Sequence, residues 1–262
     1  MKLRLFPAAL LSVVALALTG CSAPSATDES LSSVLDSGTL TIGTEGTYRP
    51  FSFHEGGSGE LTGYDVEVAR AVAAELGVDA VFEETQWDAI FAGLTAGRWN
   101  MIANQVSITP ERVGSYEFST PYTYSTGVIV VPADNTSITS FASLKGLTTA
   151  QSLTSNWNTL ATESGATVEA VEGWAQSVTL VEQGRVDATV NDKLTFLDYQ
   201  KSTGADNLKI AAETTERSES AFAFAKDGTA LAEAVSGALA TLTADGTLAE
   251  LSDKYFGADV SQ

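Results

Sequence analysis

One cysteine, one histidine and two methionines are all that 262 residues contain of those types, and 14 basic side chains face 33 acidic ones. A single thiol, Cys21, forms no internal disulfide and no multi-cysteine metal site. A single imidazole, His54, excludes a histidine-rich metal cluster, and its setting in the glycine-rich "SFHEGGSGE" offers no partners for a Ser-His-Asp or Cys-His set. "GTEGTY" lacks both the Walker lysine and the dinucleotide glycine spacing, so no cofactor is expected. The formal charge of -19 disfavours nucleic acid, which binds through cations that neutralise phosphate. So acidic a surface serves solubility.

The chain opens with Lys2 and Arg4, then an apolar run, then small residues, the layout of a secretory signal over residues 1–20. That run, Leu5 to Leu18, contains Pro7 and falls short of the roughly 20 apolar residues a bilayer core demands. It ends in Leu18-Thr19-Gly20-Cys21, which resembles the lipobox of bacterial lipoproteins. Cys21 is therefore the expected lipidation site, and the outer face of the cytoplasmic membrane the expected location. Residues 21–37, beginning "CSAPSATDES", are too polar to bury much area and read as a flexible tether.

From Gly38 the hydrophobic period alternates between strand and helix. "TLTIGTEG" is β-rich; "YDVEVARAVAAELG" puts Val66, Ala69, Val72, Ala73 and Leu76 on one helical face, with Gly77 as a stop. "DAVFEE", "WDAIFAGLTAG" and "WNMIANQ" continue the series. After "STGVIVVPAD" a second series runs through "SLKGLTTAQ", "SNWNTLATESG", "ATVEAVE", "WAQSVTLVEQG" and "RVDATVND". Repeated β-α-β units predict an α/β fold of two lobes, each a mostly parallel sheet flanked by helices. The expected bounds are 38–129 with 226–257 for the first lobe, 130–225 for the second and 258–262 for a tail. Two hinge crossings would make a clamshell, with ligands beyond the carboxyl ends of the strands.

Polar residues follow several of those strands: Glu45 and Tyr48, Gln105 and Ser107, Thr154, and Asn191 with Asp192. In "QVSITPER" Thr109 reads as an N-cap, Pro110 as the first helical position and Arg112 as a cation where the helix dipole disfavours one. Arg112 either pairs with a neighbouring acid such as Glu111 or Glu117, or joins Ser107 in holding a ligand carboxylate, which suits a bidentate guanidinium. Asp192 likewise is either the cap of the helix in "NDKLTFLDY" or an anion for a ligand ammonium. A cation on one lobe and an anion on the other would grip an α-amino acid. Tyr48 and Trp87 follow sheet edges, where a π face can pack on a ligand; Phe51 is expected in the core.

The motifs "GTEGTYRPFSF", "GYDVEVARAVAAELG", "QWDAIFAGLTAGRWNMIANQVSITPER", "YEFSTPY", "GRVDATVND" and "KYFG" occur in this order from about Gly38 to Gly257. Together they resemble the extracytoplasmic amino-acid-binding proteins of ABC importers, and "ETQWD", "AQSLTSNW" and "VEGWAQ" resemble the L-cystine-binding branch. The resemblance implies a type II periplasmic-binding-protein clamshell working as a monomer with a permease and its ATPase. It also implies that Arg112 and Ser107 hold an α-carboxylate and Asp192 an α-ammonium, while Glu45, Tyr48, Trp87, Gln105 and Thr154 line the cleft. Ser152-Leu153-Thr154 stands where the wider family has a Gly-Thr or Gly-Ser pair, so the position of Thr154 can slip by a residue. A dehydratase on the same scaffold, with Glu45 as the acid, and a ligand sensor are the alternatives.

Overall fold

The computed structural model describes residues 28–262. The signal segment and Cys21 lie outside the described residues. The first lobe runs through α1 (Ser30–Ser37), β1 (Thr39–Thr44), a small antiparallel sheet of β2 (Thr47–Tyr48), β3 (Ser52–His54) and β4 (Leu61–Thr62), then α2 (Tyr64–Leu76), β5 (Asp79–Glu84), α3 (Trp87–Thr95), β6 (Met101–Ser107), α4 (Pro110–Val113), β7 (Tyr116–Phe118) and β8 (Thr123–Ser125). The second contains β9 (Gly127–Pro132), β10 (Thr148–Gln151), α5 (Asn156–Glu163), β11 (Thr167–Ala170), α6 (Gly173–Glu182), β12 (Thr189–Asp192), α7 (Lys193–Thr203) and β13 (Leu208–Glu213). The chain closes with β14 (Ser218–Ala225), α8 (Thr229–Ala244) and α9 (Thr247–Phe256).

The first sheet has the order β5-β1-β6-β14-β7, with β8 also on β14. Its β5, β1 and β6 are parallel, and β14 runs antiparallel to β6, pairing Ser220 with Ser107 and Ala221 with Val106. In the second lobe β9 is flanked by antiparallel β12 and β13, and the parallel pair β10-β11 joins through a bridge between Thr149 and Ala188. The fold is α/β and two-lobed, with parallel strands followed by helices and antiparallel strands where the chain crosses.

Two expectations need correction. The expected bounds put residues 218–225 in the second lobe, yet as β14 they complete the first sheet, so the return crossing lies at residues 214–217 and the outward one at Thr126. Strand pairing across more than a hundred residues leaves no local signal. The tether expected over residues 21–37 does not extend through 30–37, because α1 sits Val34 in the first core at 1% exposure. Asp28 and Ser30 accept from the main-chain N-H groups of Ala230 and Leu231, capping α8.

Periodicity explains the cores. Along β9, Val128 and Val130 face the cluster of Trp174, Val178, Val181 and Phe196, while Ile129 and Val131 face Leu144, Ala161 and Val190. A strand covered on both faces needs a continuous apolar run. In α2, Val68, Ala69, Val72 and Ala73 pack beneath α8 with Phe51, Met101, Phe222 and Phe224. Gly77, at φ 73°, ends that helix by returning its N-H to Ala73 and Ala74.

Candidate functional site

A cavity of about 50 Å³ lies between the carboxyl ends of the two sets of strands. The first lobe contributes Glu45, Tyr48, Trp87, Asn104 and Gln105; the second contributes Gln151, Ser155, Trp157, Trp174, Ser177 and Asn191, among others. One carboxyl and no lysine or arginine line it.

The first-lobe wall is held by reciprocal bonds. Glu45 N-H donates to Asn104 Oδ1 at 2.8 Å, and Asn104 Nδ2 donates back to Glu45 Oε2 at 2.5 Å. Burial pushes the Glu45 carboxyl up to about 7 against the Asn104 bond, and Glu172 and Asp88 raise it further. Trp87 opens α3 after β5, and its buried indole Nε1 has no partner among the described residues. Gln105 has φ 50°, rare for a residue with a side chain, and Asp65 accepts from both its main-chain N-H and its Nε2.

Contacts of Tyr48, Asp88 and Arg49 join the lobes around the cavity. Tyr48 O-H donates to Asn191 Oδ1 at 2.9 Å and accepts from Thr195 Oγ1 at 3.0 Å. Thr154 donates its N-H and its hydroxyl to Asp88 Oδ1, at 2.9 and 2.7 Å. Arg49 pairs with Asp198 at 3.3 Å. This is the closed clamshell.

Arg112 lies in the seam between the lobes. Thr109 caps α4, with Pro110 as its first residue, and the guanidinium donates to Ser107 O at 2.9 Å and to Thr154 O, across the seam, at 3.5 Å. Its Cζ sits 5.2 Å from the Trp87 ring and 5.3 Å from that of Phe91. Among the described residues it forms no salt bridge, with Glu111, Glu117 or any other acid. Burial lowers its pKa to about 10. Asp192 is its mirror image in sign: a 4% exposed carboxylate with no cationic partner, pushed up to about 6 by burial against hydrogen bonds from Ser125 and Leu194.

Of the residues picked from sequence, Glu45, Tyr48, Trp87 and Gln105 line the cavity. Ser107 lines a neighbouring groove that shares Asn156 and Trp157 with it. Arg112 and Thr154 meet at the seam, and Asp192 caps α7 beside cavity-lining Asn191. The carboxylate of Asp192 and the guanidinium of Arg112 do not touch. Sequence reasoning missed Asp88, Asn104, Gln151, Trp157 and Trp174. Trp174 was findable: it stands in the first turn of α6 after β11, much as Trp87 opens α3 after β5. No cluster of three metal-ligating side chains occurs among the described residues, and none of their helices is long and apolar enough to cross a membrane.

The profile of the bacterial extracellular solute-binding proteins, family 3, matches residues 40–258. The L-cystine-binding protein TcyA of Bacillus subtilis is 48% identical over 259 residues, covering 97% of this chain and 96% of that one. The L-cystine solute receptor of Neisseria gonorrhoeae, in its unliganded open conformation, is 46% identical over 88% of this chain and 99% of its own, with a TM-score of 0.60. An ancestral arginine-binding protein bound to arginine is 33% identical over 84% and 99%, with a TM-score of 0.78. A lower score at higher identity is what a different lobe angle produces, in keeping with the seam contacts above.

Proposed function

The chain belongs to the bacterial extracellular solute-binding proteins, family 3, and from that premise we propose that it is a lipid-anchored receptor that captures L-cystine and delivers it to an ABC permease. The observation that carries this reading is the partly buried guanidinium of Arg112, held in the seam without a counter-ion. A cation withdrawn from water needs a hydrogen-bonded anion, and an incoming carboxylate is one. Ser107 supplies a hydroxyl beside it.

Asp192 accepts two hydrogen bonds on Oδ1 and none on Oδ2 among the described residues, which leaves an oxygen for the α-ammonium. Trp87, under Arg112, offers its face to the ligand stem. In this reading the ligand enters the open form, Arg112 and Asp192 take its charged α-substituents, and the seam bonds of Asp88, Tyr48 and Arg49 form as the lobes meet. No covalent step is involved. Cystine is favoured over other amino acids by the names of the relatives at 48% and 46% identity, and the closed form is what a permease would read. Cys21 would carry the lipid, and the receptor would act as a monomer.

A thermal-shift screen of the mature protein, stripped of carried-over ligand, tests the reading against the amino acids and cystine. A ligand at a hundred times its Kd adds about 2.7 kcal/mol to stability, so a true ligand stands out. L-Cystine is expected to give the largest rise. A flat response to every amino acid would overturn the proposal.

A further inference from the structure

The two crossings between the lobes are each flanked by a serine on the side of the first sheet. Ser125 is the last residue of β8, immediately before the outward crossing at Thr126; Ser218 is the first of β14, immediately after the return crossing at 214–217. They are cross-strand partners. Residues directly opposite in such a ladder project from the same face of the sheet. Main-chain bonds hold the ladder, so neither hydroxyl is needed to keep the strands together.

Each hydroxyl has one partner among the described residues, and each partner is a group that the proposed reading gives to the ligand. Ser125 Oγ donates to Asp192 Oδ1 at 2.7 Å, reaching past Thr126 to a carboxylate of the second lobe. Asp192 ends β12 and pairs with Gly127, the first residue beyond the crossing. Capping α7 takes only the Leu194 N-H, which donates to the same Oδ1 at 2.8 Å. The Ser125 bond is surplus to the cap. With both donors on one oxygen, it fixes the carboxylate and leaves Oδ2 without a donor.

Ser218 Oγ lies 3.3 Å from Ser107 Oγ. Ser107 pairs with Ser220 on β14, so Ser218 is its diagonal neighbour. A hydroxyl carries a single proton. When Ser107 gives its proton to a carboxylate, Ser218 must be the donor between the two serines, and that bond sets the Ser107 rotor. No cation competes for Asp192: Tyr48 and Asp65 face it from the first lobe, and neighbouring Lys193 is engaged by Glu213 at 2.8 Å.

We infer that Ser125 and Ser218 are positioning residues: paired where the lobes pivot, one holds Asp192 ready for the ligand ammonium and the other holds the Ser107 hydroxyl ready for its carboxylate. Points beside a pivot travel least as the lobes swing, so both holders are set before closure. The inference rests on the proposed reading of Ser107, Arg112 and Asp192 as the grip on an α-amino acid.

The test measures L-cystine affinity by calorimetry, each variant against the wild type at the same pH, so that the ligand's own titration cancels. Burial pushes Asp192 up to about 6, and the Ser125 bond works against that rise. Without the hydroxyl the carboxylate takes its proton at higher pH, and the protonated form cannot pair with an ammonium. Ser125→Ala is therefore expected to weaken binding about fivefold or more at about pH 6, with the deficit closing toward equality at about pH 8. Ser125→Thr, which keeps the hydroxyl, should match the wild type at both. Ser218→Ala bears on no titrating group, so its loss, about threefold or more, should be the same at every pH and should vanish in a Ser107→Ala background. If Ser125→Ala does not fold, Ser125→Cys, of similar size with a weak donor, takes its place. A pH-independent deficit in Ser125→Ala, a Ser218→Ala loss that persists without the Ser107 hydroxyl, or wild-type affinity in either variant overturns the inference and leaves the amino-acid reading standing. Cystine affinity that neither Arg112→Ala nor Asp192→Asn alters overturns the reading itself.

Discussion

Arg112 and Asp192 are two ionisable groups kept partly or wholly out of water without a partner of opposite sign, and their energetics lead to opposite expectations for folding and binding. Removing a cation that has no counter-ion among the described residues should leave ligand-free stability little changed, while it deprives the ligand carboxylate of its partner. Arg112→Ala is expected to weaken L-cystine binding by about 2–5 kcal/mol in calorimetry with little change in the unliganded melting temperature. Unchanged affinity would return Arg112 to a surface role. The pH dependence has a definite sign. Glu45 and Asp65 are pushed up to about 7 and Asp192 to about 6, so each holds its proton more tightly folded than unfolded. Their contribution to stability is complete below the ordinary carboxylate range near about pH 4 and is lost as the pH rises to about 7. His54, raised by its bond to Glu84, acts in the same direction. Thermal unfolding of the ligand-free protein should therefore show a midpoint that falls between about pH 5 and about pH 7.5, with a shallower fall in Glu45→Gln; a rising midpoint would contradict these assignments. At this scale the sequence was legible wherever a residue acts locally. Thr109 and Pro110 announce the turn that presents Arg112. Asp88 was not legible, because its task is to meet Thr154 on the other lobe and nothing near Trp87 announces that contact.

Among the elements, α1 departs furthest from its sequence reading. A segment with one fully buried side chain, Val34, and a partly buried Leu31 looks too polar to order itself, and its order comes from α8, whose first N-H groups need acceptors. The helix and the cap stabilise each other. Val34→Ala is expected to cost about 1–3 kcal/mol, and Asp28→Ala about 1 kcal/mol, in chemical denaturation, with ligand affinity unchanged. A loss below a few tenths of a kcal/mol in both would mean that α1 is the loose tether its composition suggested. The β-α alternation, by contrast, was readable almost strand by strand, since period and caps are local. The placement of β14 was not: it follows from pairing with β6, and only the three-dimensional register reveals it.

For the whole molecule the closed form is set by few polar contacts, and a ligand shifts the hinge only by its preference for one state over the other. Asp88 makes two hydrogen bonds to Thr154 that exist only when the lobes meet. Asp88→Ala should therefore favour the open form: small-angle scattering is expected to give a larger radius of gyration without ligand, and saturating L-cystine to restore the wild-type value. Equal radii in both proteins before ligand is added would show that the latch contributes nothing. The proposed mechanism requires one small zwitterion to bridge the lobes, which a crystal structure of the mature protein with L-cystine would reveal. It should show one carboxylate of the ligand within hydrogen-bonding distance of the Arg112 guanidinium and the adjacent ammonium on Asp192. A ligand seated between the lobes that touches neither side chain would contradict it.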